Sequence, residues 1–114
     1  MALFGRSKKE KPPKNTDSPE FRLYMCRKLD GRYIKYAFEK GDDGVDRVIG
    51  KGGVISFYNG DLSVVCGEKT VFCCTGSEVK AWEFMSLEGA TISGFDKTQN
   101  KERTISAYYT YFMD

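Results

Sequence analysis

Two-residue turn signals set between β-branched runs constrain this chain more than any other feature. Asn59-Gly60 separates VISFY (Val54–Tyr58) from LSVVC (Leu62–Cys66), and Gly67-Glu68 separates LSVVC from TVFCC (Thr70–Cys74). Such pairs readily adopt the left-handed dihedrals that a tight hairpin requires. Earlier, Asp30-Gly31 divides FRLYMCRKL from RYIKYAFEK. The first run alternates, with Phe21, Leu23, Met25 and Leu29 on one face and Arg22, Tyr24, Cys26 and Lys28 on the other. The second sets Ile34, Tyr36 and Phe38 against Tyr33, Lys35 and Ala37. A period of two predicts strands, so an opening hairpin is expected over 21–40. Turn and strand signals then recur every eight to twelve residues, roughly, which predicts an all-β domain, a small antiparallel barrel or sandwich.

The segment SEVKAWEFMSLEG (Ser77–Gly89) has termini that suit a helix, with Ser77 as a cap and Gly89 beyond the end. Its apolar residues Val79, Ala81, Trp82, Phe84, Met85 and Leu87 scatter around a helix's whole circumference. Strand is therefore expected over 81–87, with at most one short helix in the chain. ATISGF, the polar loop DKTQNKE and a long closing strand RTISAYYTYF follow. Residues 1–20 read as a disordered basic arm, since 5–18 carry no large apolar side chain and Pro12-Pro13 blocks a helix. Residues 21–114 read as a single antiparallel β domain, the number that 114 residues accommodate.

The chain holds 18 Lys+Arg against 16 Asp+Glu, so no strong global field marks a nucleic-acid binder. Histidine is absent, and the four cysteines, Cys26, Cys66, Cys73 and Cys74, form no C-x-x-C pair. A zinc site is therefore not expected, nor any other cofactor. Adjacent Cys73 and Cys74 would point to opposite faces of a strand, and all four read as free thiols in a reducing compartment. The start MALFGRSKKEKPPK lacks the apolar run of a signal peptide, no segment is long enough for a membrane span, and Ala2 breaks the myristoylation pattern. A cytoplasmic location is expected. No spacing selects a general acid–base pair, and nothing places a base beside Cys73-Cys74, so no enzyme is expected.

RVIGKGG (Arg47–Gly53) matches the glycine loop with which KH domains clamp single-stranded nucleic acid. That loop joins two helices, whereas VISFYNGDLSVV follows here and GDDGVDR precedes, neither suited to helix. A strand-turn-strand bend needing positive φ is expected instead. A phosphate loop lacks its Lys-Ser/Thr pair, and Asp42, Asp43 and Asp46 lack the ligand spacing of a calcium loop.

Three surfaces remain as candidates. Arg6, Lys8, Lys9, Lys11 and Lys14, beside Met1, Leu3 and Phe4, could give weak peripheral contact with an anionic membrane surface. Arg27, Lys28, Arg32 and Lys35 interleave with Tyr33 and Tyr36, the mixture that single-strand-binding sheets use for phosphates and bases. Tyr108, Tyr109, Tyr111 and Phe112 put aromatics on both faces of the closing strand, which suits self-association or a protein partner. A non-catalytic interaction module for a protein partner or anionic surface is expected, with a single-stranded nucleic-acid binder as the alternative.

The succession of short antiparallel strands with N-G and E-G turns and a Tyr-rich final strand resembles small bacterial domains of the PH-like and GRAM-like type. The resemblance spans Phe21 to Phe112 as a pattern without a diagnostic motif. It implies a β-barrel with one helix and a binding or scaffolding role. In those folds the helix is C-terminal, whereas this chain ends in YYTYFMD.

Overall fold

A computed structural model describes residues 11–110. One helix, α1 (Pro19–Leu29), precedes seven strands: β1 (Tyr33–Lys40), β2 (Asp46–Tyr58), β3 (Asp61–Cys66), β4 (Lys69–Thr75), β5 (Lys80–Glu83), β6 (Gly89–Asp96) and β7 (Lys101–Tyr109). All pair antiparallel in the order β4-β3-β2-β1-β7-β6-β5. The domain is thus mostly sheet, as expected. The sheet is open, however, because its outer strands β4 and β5 do not pair with each other, which corrects the expected barrel or sandwich.

The expected opening hairpin is the second correction, since its first strand is helix. Ser18 caps α1, its hydroxyl accepting the N–H of Phe21 at 3.1 Å, Pro19 occupies the first turn, and Glu20 and the Arg27-Lys28 pair match the helix dipole at its two ends. The apolar positions that alternate in FRLYMCRKL also recur at four-residue intervals, Phe21-Met25-Leu29. Burying Met25, Cys26 and Leu29 against the sheet decides between the two periods. Asp30-Gly31 still forms a turn, with Gly31 at φ +87° and the Arg32 N–H on the Leu29 carbonyl, but it joins helix to strand.

The glycine segment is not a turn between two strands. β2 runs through it for 13 residues, with a bulge where the register against β1 shifts between Ala37 and Phe38. Gly52 supplies the expected positive φ, +62°, facing open space. Gly53 has a different reason, because a Cβ there would lie 2.2 Å from the Val65 carbonyl oxygen. β5 covers only the first part of the expected 81–87 strand.

The core lies between α1 and the inner face of the curled sheet, where Leu29, Ile34, Ile55, Leu62, Val64, Phe72, Ile92 and Ile105 are fully buried. Each such side chain contributes about 1.5 to 3 kcal/mol of transfer free energy. Close to β4, Asp96 and Arg103 are buried and paired, and Arg103 also grips Glu39 through Nε at 3.0 Å and Nη2 at 2.7 Å. Burial alone would raise the Asp96 carboxyl, but Arg103 and the amides of Thr98 and Cys73 outweigh it and hold it below the usual range.

Candidate functional site

The fold separates the residues expected to bind. Arg6, Lys8, Lys9 and Tyr111 lie outside the described residues, while Lys11 and Lys14 are exposed. Arg27 and Lys28 end α1 instead of lying on a strand beside Tyr33 and Tyr36. Arg32, itself exposed, is engaged, with its guanidinium 4.0 Å from the centre of the Tyr109 ring and bonded to Glu83. Tyr109 is buried and donates its hydroxyl to Glu83 at 2.8 Å, so it belongs to the core and not to an exposed partner face. Glu83 thereby gathers Lys28, Arg32 and Tyr109. Burial would raise its carboxyl, but these three donors hold it low, and burial with the neighbouring carboxylate raises the Tyr109 hydroxyl. Tyr33 and Lys35 remain on β1, exposed, and Tyr33 borders an open groove of about 440 Å³ beside Gly52, Gly53 and Val65.

What the structure does bring together is apolar. On the outer face Tyr36, Phe38 and Tyr108 pack against one another at centroid distances of 5.4 to 6.4 Å, and Phe84 joins them 5.2 Å from Tyr108. Phe84 reaches this position because Gly89 has no side chain: a Cβ there would meet the Phe84 ring at 2.8 Å and the Ala107 carbonyl at 2.3 Å. Phe84 opens the β5–β6 turn, which the Leu87 N–H closes onto the Phe84 carbonyl at 2.9 Å. The turn then presents Met85, 101% exposed, and Leu87, 62% exposed, to solvent. Leu87 stands at φ +63°, a conformation that a bulky residue rarely adopts.

Of this cluster Tyr36 and Tyr108 are among the expected contact residues, whereas Phe38 and Phe84 are not. The available signal was the scatter of apolar residues through SEVKAWEFMSLEG, which packing on both faces of a strand would also produce. In the fold, Ala81 is buried while Phe84, Met85 and Leu87 belong to the turn and its root.

The cysteines are Cys26, Cys66, Cys73 and Cys74. All four are free, and burial pushes the Cys26 thiol up to about 12 and the Cys74 thiol up to about 11. Cys73, half-buried, faces away from Cys74 as strand alternation requires. Among the described residues no group of three or more His, Cys, Asp or Glu side chains is placed to hold a metal, and no helix is long and apolar enough to cross a membrane. Comparison of the chain with protein-family models, curated proteins and solved structures gave no match.

Proposed function

We propose that this chain is a non-catalytic binding module whose partner is a protein, engaged through the β5–β6 turn and the aromatic face at its root. The observation that carries this reading is the turn itself, Phe84-Met85-Ser86-Leu87. Turns are ordinarily polar, yet this one exposes Met85 and Leu87 and holds Leu87 in a strained backbone. Met and aromatic side chains clustered on a rigid base are the composition of interface centres, where desolvation supplies most of the binding free energy. Phe84, fixed against Tyr108, provides that base.

The dispersal of Arg27, Arg32, Tyr33 and Tyr36 over a helix end, an ion network around Glu83 and a strand gives the nucleic-acid alternative no continuous track for a phosphate backbone. A place among PH-like or GRAM-like domains is also a proposal. Seven antiparallel strands with one helix support it, and the N-terminal position of that helix departs from it.

The test compares the full chain with a Met85→Ser, Leu87→Ser double variant as immobilised bait, after circular dichroism has shown that both fold. Proteins retained specifically by the native chain and lost from the variant are expected. Identical retention by both would contradict the proposal.

A further inference from the structure

The two outer strands of the sheet are treated differently. On β4 the outward polar groups are taken: Asp96 accepts the Cys73 N–H at 3.0 Å, the Cys73 carbonyl accepts the Lys97 N–H at 2.7 Å, and the Val71 carbonyl accepts from Arg103 at 3.0 Å. β5 has no such seal. The Phe84 N–H on Gly89 and the Tyr109 N–H on Glu88 fix the alternation of the β5–β6–β7 ladders, so Lys80 and Trp82 bond to β6. Ala81 and Glu83 then turn their N–H and C=O groups to the free edge, and none of these finds a partner among the described residues.

Along that edge lies a cavity of about 290 Å³, between the start of α1 and Lys80–Trp82, walled by Phe21, Arg22, Lys80 and Trp82 with Asp17 as its one carboxylate. Trp82 is half exposed. The Arg22 Nε is buried without a hydrogen-bond partner among the described residues, while its Nη1 donates to the Glu78 carbonyl at 3.4 Å; among those residues neither Arg22 nor Lys80 has a carboxylate partner, whereas Lys28 and Arg32 nearby both clamp Glu83. A row of unpaired backbone groups is a template for another strand. Two cations against one acid favour an anionic side chain.

We infer that the free edge of β5 takes up an extended peptide segment of a partner protein, which adds as an eighth strand on Ala81 and Glu83 and directs an acidic side chain toward Arg22 and Lys80. This rests on the reading of the chain as a protein-binding module, but on a surface separate from the Met85–Leu87 turn.

The test titrates the 15N-labelled full chain with an equimolar pool of acetylated, amidated heptapeptides that carry Glu at the centre and Val, Ile or Thr around it. A second pool has Lys at the centre. The expected result with the Glu pool is amide shifts centred on Ala81, Trp82 and Glu83, with slowed hydrogen exchange at Ala81 and Glu83, and several-fold weaker shifts with the Lys pool. Ala81→Pro, which removes an edge N–H, abolishes the response. Lys80→Glu, an exposed change that keeps the fold, reverses the preference between the pools. Shifts confined to Phe84, Met85, Leu87 and Tyr108 would overturn the inference and leave the proposed partner surface standing. No shift at Ala81 or Glu83 at millimolar peptide would overturn it as well.

Discussion

The carboxylate of Asp96 accepts the backbone N–H of Cys73 at 3.0 Å, so a side chain from the end of β6 occupies a position that a neighbouring strand's carbonyl would fill in a closed barrel. The same carboxylate accepts the Thr98 N–H and hydroxyl and pairs with Arg103, which in turn bonds the Val71 carbonyl and Glu39. One buried polar cluster therefore seals β4, and the sheet stays open without exposing that edge. Removing one partner leaves the others buried and unpaired. Asp96→Ala is expected to cost about 3 to 5 kcal/mol in urea unfolding and to speed hydrogen exchange at the Cys73 amide. Asp43→Ala, which breaks the exposed bridge to Arg47 and the exposed bond from the Val45 N–H, is expected to cost far less, about 1 kcal/mol.

Acid sensitivity follows from the same groups. The Arg103 guanidinium lowers Glu39, and Asp96 and Glu83 are held low against burial by their donors. All three bind fewer protons folded than unfolded near their ordinary values of 3.8 for Asp and 4.5 for Glu, so stability rises with pH across that window. Unfolding free energy should be nearly constant from neutral pH to about pH 5.5, then fall as pH drops through the lowered values. Denaturant titrations across pH 7 to 3 check this, and the fall should shrink in Asp96→Ala.

Two neighbouring glycines separate backbone conformation from close packing. Gly52→Ala meets open space and bears only the positive-φ cost, about 1 kcal/mol. Gly53→Ala must displace the Val65 carbonyl, so the β2–β3 pairing has to shift, and a loss above that of Gly52→Ala is expected. Equal losses in chemical denaturation would contradict the close approach of β3 to β2.

The helix rests on a cap that can be tested directly. Ser18→Ala removes the acceptor for the Phe21 N–H and is expected to cost about 1 kcal/mol. Helical circular dichroism and the unfolding midpoint report it together.

Where turn chemistry and alternation agreed, the fold was legible. Asn59 and Gly60 both have positive φ between two strands, and β4, β6 and β7 fall close to their expected places. It was illegible where one segment satisfied two periods. FRLYMCRKL alternates and also repeats at four, and the Ser18-Pro19-Glu20 start signal was the feature that distinguished them. The open sheet could not be read either, because the pairing of β1 with β7 and the sealing of β4 by Asp96 join residues far apart in sequence. The candidate surface was legible only through Tyr36 and Tyr108. Phe84 lies on the sheet because Gly89, five positions later, leaves room above Tyr108, and no local pattern encodes that relation.

The most direct test of the binding reading places a photo-crosslinking amino acid at Met85, with the same residue at Val45 as control. Both positions are exposed and apolar, and Val45 lies in the β1–β2 connection, outside the β5–β6 turn. Irradiation in the cell of origin is expected to give a discrete crosslinked protein from position 85 and none from position 45. No product at 85, or the same products from both positions, would contradict the account.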